Sequence, residues 1–163
     1  MLKIVSRVCL ALCQVLPASA AIHKVPQDEP VATLNVPDKW RTTTHGEFIE
    51  ADSPDGTVHF LAVHPEGRKI MESMGETMTY IRNKAGLFVD ASSLMDEPGK
   101  LNGMNVRNVS WKAKEKDTPV IVRFQLLALP GGKHLILAFW MSAKAETKHA
   151  RELKEIQQSI KAL

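Results

Sequence analysis

Apolar and polar residues alternate with period two through most of the chain beyond residue 31, and the period lengthens to three and four residues in two places. Alternation puts successive side chains on opposite faces of a strand, whereas the longer period marks one face of a helix. Ala32, Leu34 and Val36 alternate with Thr33 and Asn35, and Pro37 ends that strand before Asp38, Lys39 and Trp40. Two further strands are predicted over residues 45–52 and 57–64, flanking Ser53-Pro54-Asp55-Gly56. Proline presets the φ of a turn and glycine accepts a positive one, so the pair reads as a hairpin.

Ile70, Met71, Met74, Met78, Ile81 and Ala85 then recur at helical spacing, predicting a helix over residues 68–84 closed by Gly86 in the left-handed position. Alternation resumes in four strands, at 87–95, 104–113, 119–129 and 134–141. Their joints are Pro98-Gly99 with Asn102-Gly103, then Lys114-Glu115-Lys116-Asp117, then Pro130-Gly131-Gly132. The chain ends in a predicted helix over 143–163, with Thr147, Ala150, Leu153, Ile156, Ile160 and Leu163 as its stripe and Ser142 as its N-cap.

The last two strands are apolar on both faces. Val120, Val122, Phe124 and Leu126 oppose Ile121, Leu127 and Leu129; Leu135, Leu137, Phe139 and Met141 oppose Ile136, Ala138 and Trp140. Such strands are covered on both sides. The expected fold is therefore α+β, an antiparallel sheet of about six to seven strands with a helix packed on each face, in the order βββ-α-ββββ-α.

Residues 1–20, MLKIVSRVCLALCQVLPASA, carry a basic start, a short apolar run and small residues at Ala18 and Ala20. This is the pattern of a secretory signal peptide cut before Ala21. The run falls short of the roughly 20 apolar residues that span a bilayer, so no membrane span remains after processing. Residues 21–31, with Pro26 and Pro30, read as an extended leader, and 32–163 as a single domain. Both cysteines, Cys9 and Cys13, lie in the segment removed, which excludes thiol and disulfide chemistry and favours a bacterial periplasmic or secreted location.

Formal charge is +3, from 21 basic and 18 acidic residues; Lys3 and Arg7 leave with the signal segment, so 19 basic residues remain against 18 acidic. Without a basic stripe there is no electrostatic case for nucleic acid. The tip around Lys112, Lys114, Glu115, Lys116 and Asp117 has mixed sign and lacks the purely basic character that attracts anionic lipid. Lys148 with Glu152 and Arg151 with Glu155 have the spacing of helical ion pairs.

The strand ending in Pro37 with Trp40 three residues on, the Ser53-Pro54-Asp55-Gly56 hairpin, the middle helix, the long hairpins and the terminal helix together resemble the PsbP-like fold over residues 32–163. That family includes the extrinsic photosystem II protein, a Ran-binding transport factor and DcrB-like bacterial envelope proteins. The resemblance implies the architecture and a non-catalytic adaptor, chaperone or assembly role. It assigns no binding residue.

Local catalytic signatures are absent: there is no Gly-x-Ser-x-Gly, His-Glu-x-x-His, phosphate loop or dinucleotide fingerprint. No catalytic residue and no cofactor is assigned. His59 and His64, followed by Met71, Met74 and Met78, have the side chains that copper accepts. However, the five-residue separation turns the histidines to opposite strand faces, and the methionines share a stripe with Ile70 and Ile81, as core fillers do. No metal ligand is assigned, and a copper or small-ligand carrier stands as the alternative. Trp111 shares its strand face with the polar Asn105 and Arg107. Arg107 and Trp111 are accordingly the candidate partner-binding edge, available for strand addition by an unidentified protein or peptide partner.

Overall fold

A computed structural model describes residues 20–163 of the chain. The signal segment with Ala18 lies outside the described residues, save for Ala20. Strands β1 (Ala20–Val25), β2 (Ala32–Pro37), β3 (Arg41–His45), β4 (Phe48–Asp52) and β5 (Val58–Val63) precede helix α1 (Ile70–Ala85). Strands β6 (Leu87–Val89), β7 (Met95–Leu101), β8 (Met104–Glu115), β9 (Thr118–Ala128) and β10 (His134–Met141) follow. Helices α2 (Ala143–Lys148) and α3 (Ala150–Gln158) and a short strand β11 (Lys161–Ala162) close the chain.

Eight strands form one antiparallel sheet in the order β3-β4-β5-β10-β9-β8-β6, with β7 also paired to β8. A second sheet has the order β1-β2-β11. The two-sided apolar strands lie where their pattern requires. On β9 and β10, Leu127, Leu135, Leu137, Phe139 and Met141, with Leu129 just beyond β9, join a core with β2 and α3. From the opposite side of the sheet, Val120, Val122, Phe124, Leu126, Ile136, Ala138 and Trp140 pack with Ile81 of α1.

The chain is thus α+β with helices on both faces of an antiparallel sheet, but the order is five strands, a helix, five strands, two short helices and a strand. The expected leader over 21–31 is in part strand β1, paired with β2 from Ala20 opposite Pro37 to Val25 opposite Ala32. The predicted strand over 45–52 is the second arm of a hairpin whose first arm, β3, was unread: Arg41-Thr42-Thr43-Thr44-His45 has no apolar residue to mark a period. Pro98-Gly99 is no joint. Both residues pair with β8 from within β7, an outer strand, where proline is tolerated because no ladder donor is needed on its free side.

The terminal helix breaks at His149, ends at Gln158, and gives way to β11 on the edge of β2. Ser142 caps α2 as expected, its hydroxyl accepting from the Ala145 N–H at 3.2 Å. Gly86 closes α1 at φ 63°. The line of α1 that is fully buried is Ser73, Thr77 and Ile81; Met74 and Met78 flank it half-buried, and Met71 points outward. Small side chains at Ser73 and Thr77 suit a helix lying close on a sheet.

Candidate functional site

Helix α3 covers only part of its face of the large sheet. Beyond it, strand alternation places Asn108, Ser110 and Lys112 of β8 and Ile121, Arg123 and Gln125 of β9 in a groove of about 540 Å³. Its walls are Glu146, Ala150, Leu153, Lys154 and Gln157 of α2 and α3 and, opposite, Met95 and Glu97 of β7. The strand register orders this floor in rows. Met95 lies opposite Ser110, and Ser110 opposite Arg123, which pairs with Glu146. Lys112 lies opposite Ile121, and Ile121 opposite Met141.

A third row is held by side-chain amides: Gln157 Nε2 donates to Gln125 Oε1 at 3.0 Å, and Gln125 Nε2 to Asn108 Oδ1 at 3.1 Å. That row ties α3 to the sheet. On the groove's β7 side, Met95 is 57% exposed. A concave, mainly apolar lining with a few convergent polar groups is the usual composition of a binding site.

Of the two sequence-derived candidates, Trp111 contributes to the groove's lining and Arg107 does not. Strand β8 is not an edge: β9 pairs along one side, β7 and β6 along the other, so Arg107 and Trp111 offer no free backbone to an added strand. Their side chains lie on the α1 side of the sheet. Trp111 is half-buried and meets Phe124 edge-on at 5.9 Å. Exposed Arg107 binds both carboxylate oxygens of Asp96, drawing that carboxyl below its ordinary pKa.

His59 stacks on Trp140 at 4.7 Å, its Nδ1 lying 2.7 Å from Asp52 Oδ1. His64 Nδ1 donates to the His134 carbonyl at 2.9 Å, and exposed Met71 touches Arg107. These side chains do not converge. Among the described residues no group of three or more His, Cys, Asp or Glu is placed to hold a metal ion.

Beside this histidine, β4 carries two buried carboxylates. Glu50 meets Lys84 and accepts from the Tyr80 hydroxyl at 3.1 Å. Asp52 also accepts from Arg41 at 2.6 Å. Burial raises the Asp52 carboxyl's pKa, but the hydrogen bonds of Arg41 and His59 outweigh it and leave it lowered.

A second histidine cluster was missed altogether. His149, at the break between α2 and α3, is 6% exposed. Its Nδ1 lies 2.6 Å from Glu152 Oε2 and its Nε2 3.1 Å from each oxygen of Asp55, in the 53–56 turn. The Trp40 ring meets it edge-on at 6.0 Å. Lys148 and Glu152 do not pair with each other: Lys148 reaches Asp55 at 2.6 Å, and Glu152 takes Lys39. Arg151 and Glu155 pair as expected, at 3.1 Å.

Burial works against charge on His149, but hydrogen bonds to Glu152 and Asp55 and the charges behind them outweigh it, and the net pKa is raised. Asp55 is held well below the carboxylate range, first by Lys148, then by Ser53 and His149. Burial of Glu152 is likewise outweighed by His149 and Lys39, which lower it.

No protein-family model matches the chain, and no curated protein matches it. Among solved structures, the cyanobacterial PsbP (CyanoP) of Synechocystis aligns over 92% of this chain and 96% of its own, at 9% identity and a TM-score of 0.59. A protein of Bacteroides thetaiotaomicron aligns over 81% of this chain at 15% identity and a TM-score of 0.56; this chain spans 45% of its length. LpqN of Mycobacterium tuberculosis, described as involved in cell envelope biogenesis, aligns over 86% of this chain and 90% of its own, at 13% identity and a TM-score of 0.50. These likenesses show a PsbP-like fold.

Proposed function

We propose that this chain is an exported, non-catalytic binding domain of the bacterial envelope, and that it takes a protein partner through an extended segment seated in the α3 groove. The observation that carries the reading is the groove beside α3, a concave stretch of the large sheet's face that the helix leaves open. Its floor offers amides, a hydroxyl and Lys112 to a passing backbone, while Ile121, Leu153 and Met95 supply apolar contacts. The ionisable groups there are Glu97, Lys112, Arg123, Glu146 and Lys154, an assembly with no histidine beside the hydroxyl of Ser110 to serve as its base. Location in the envelope rests on the signal-peptide pattern of residues 1–20 and agrees with LpqN's described role. Among the described residues, no helix is long and apolar enough to cross a membrane.

A photo-crosslinking side chain at Ser110 is expected to yield one discrete adduct in intact envelopes, mapping to an extended segment of the partner. The same group at Thr43, on the opposite edge of the sheet, should yield none. Adding Met95→Asp and Lys112→Glu should reduce the Ser110 adduct about tenfold, as loss of interface anchors does. Equal labelling from both positions, or none from Ser110, overturns the reading. Processing has its own readout: protein purified from the envelope should have a mass that begins at Ala21. An uncleaved chain removes the assignment to the envelope.

A further inference from the structure

Resting on the groove reading, we propose that His149 is a proton-operated latch that fastens the N-terminal end of α3, and so one wall of the groove, to the 53–56 turn. The ring faces carboxylates from both nitrogens, Glu152 on α3 and Asp55 across the turn. Only the doubly protonated imidazole donates from both; a neutral ring has one N–H and meets the other carboxylate with a lone pair. Losing one proton therefore breaks one of the two links.

Charged groups reach the ring's surroundings from every side: Asp55 from the turn, Lys148 from α2, Glu152 from α3 and Lys39 from the segment after β2. Trp40 adds an uncharged wall. In order they form an alternating string, Lys148, Asp55, His149, Glu152, Lys39, with the imidazolium at its centre. Without that central charge the two carboxylates face one another.

The latch sits where the helix gives way. His149 has φ −103° and ψ 13°, outside the helical region between two helices, and no side chain caps the start of α3. Ala150, Leu153, Lys154 and Gln157, spread along α3 from the joint to its last turn, line the groove. When the ring's bond to Asp55 is lost, Lys148 at the end of α2 still reaches the turn, while the start of α3 keeps only Leu153 and Ile156 as its buried anchors and the Gln157 amide link to the floor.

The test is an NMR titration of the full mature chain, following the His149 ring and the hydrogen exchange of the α3 amides, corrected for intrinsic base catalysis. The ring should titrate above the midpoint of histidine in an unfolded peptide. Protection over residues 150–157 should fall about tenfold through that same step while α1 is unchanged. In His149→Gln, whose side chain donates from a single nitrogen at every pH and so cannot bridge the two carboxylates from opposite sides, the step should vanish and α3 should exchange at the faster rate throughout. A midpoint at or below the ordinary one, flat α3 protection, or a step that survives in His149→Gln overturns the latch. Because these readouts need no partner, failure here with an intact Ser110 crosslink removes the latch alone, and loss of the crosslink with an intact step removes the groove reading alone.

Discussion

Trp140→Ala should lower the free energy of unfolding by about 3–5 kcal/mol, the loss seen when a large buried ring is truncated. Trp140 is 1% exposed at the middle of the large sheet, on β10 between β5 and β9, opposite His59 on one side and Val122 on the other. Its ring stacks on His59 with an interplanar angle of 13° and joins the core beneath α1. The neighbours that would have to close the resulting cavity are backbone-paired strands, which relax little. Yet the indole N–H is buried without a hydrogen-bond partner, and an orphaned donor costs about 1–3 kcal/mol. Trp140→Phe removes that donor together with part of the ring, so its cost should stay below about 1.5 kcal/mol. Urea unfolding of the three proteins measures both differences. A phenylalanine variant as unstable as the alanine variant would mean that the indole nitrogen is satisfied, by a water or otherwise.

The parts of the fold legible in the sequence were those whose pattern is local and strong. Strands β9 and β10 carry apolar residues on both faces and could only be central; α1 announces its end with Gly86, and the 53–56 turn carries proline and glycine at the positions a hairpin needs. What escaped was set by partners distant in the sequence. β3 is polar throughout, and only pairing with β4 makes it a strand. Pro98 read as a joint because nothing local says that β7 has a free side. The stripe of the terminal helix continues in phase through His149, since one residue outside the helical region shifts it little. The two residues of β11 are a strand only beside Thr33 and Ala32.

The site was harder still. Asn108, Ser110, Arg123 and Gln125 are the ordinary polar phase of two strands, and their convergence depends on where α3 stops covering the sheet. The polarity of one face of β8, which suggests an edge at Arg107 and Trp111, reflects the Asp96 partner of Arg107, while both sides of the strand are paired. His149 gave no signal at all. Its nearer carboxylate is three residues away, but the other is 94 residues distant, on a turn that looked complete with its own Ser53 to Asp55 hydrogen bond.

His149→Ala should cost about 3 kcal/mol near pH 6, at the lower end of what breaking a buried charge pair costs, because Lys148 and Lys39 still partner the two carboxylates. The dependence on pH separates charge from packing. His149 holds its proton more tightly folded than unfolded, so its contribution is complete below the unfolded value of 6.5 and is lost as pH rises through the higher folded one. Asp55 and Glu152 are displaced in the other direction. Their contribution is complete above the unfolded values of 3.8 and 4.5 and is lost as pH falls through the lower folded ones. The stability difference between wild type and His149→Ala should therefore be greatest between about pH 5 and 6.5. It should shrink above that window as the wild-type ring loses its proton, and below it as the carboxylates gain theirs. What remains at pH 9 is the packing of the ring against Trp40. Urea midpoints of both proteins at pH 4, 6 and 9 measure this directly; a difference as large at pH 9 as at pH 6 would make His149 a packing residue, with its two carboxylates held by the lysines.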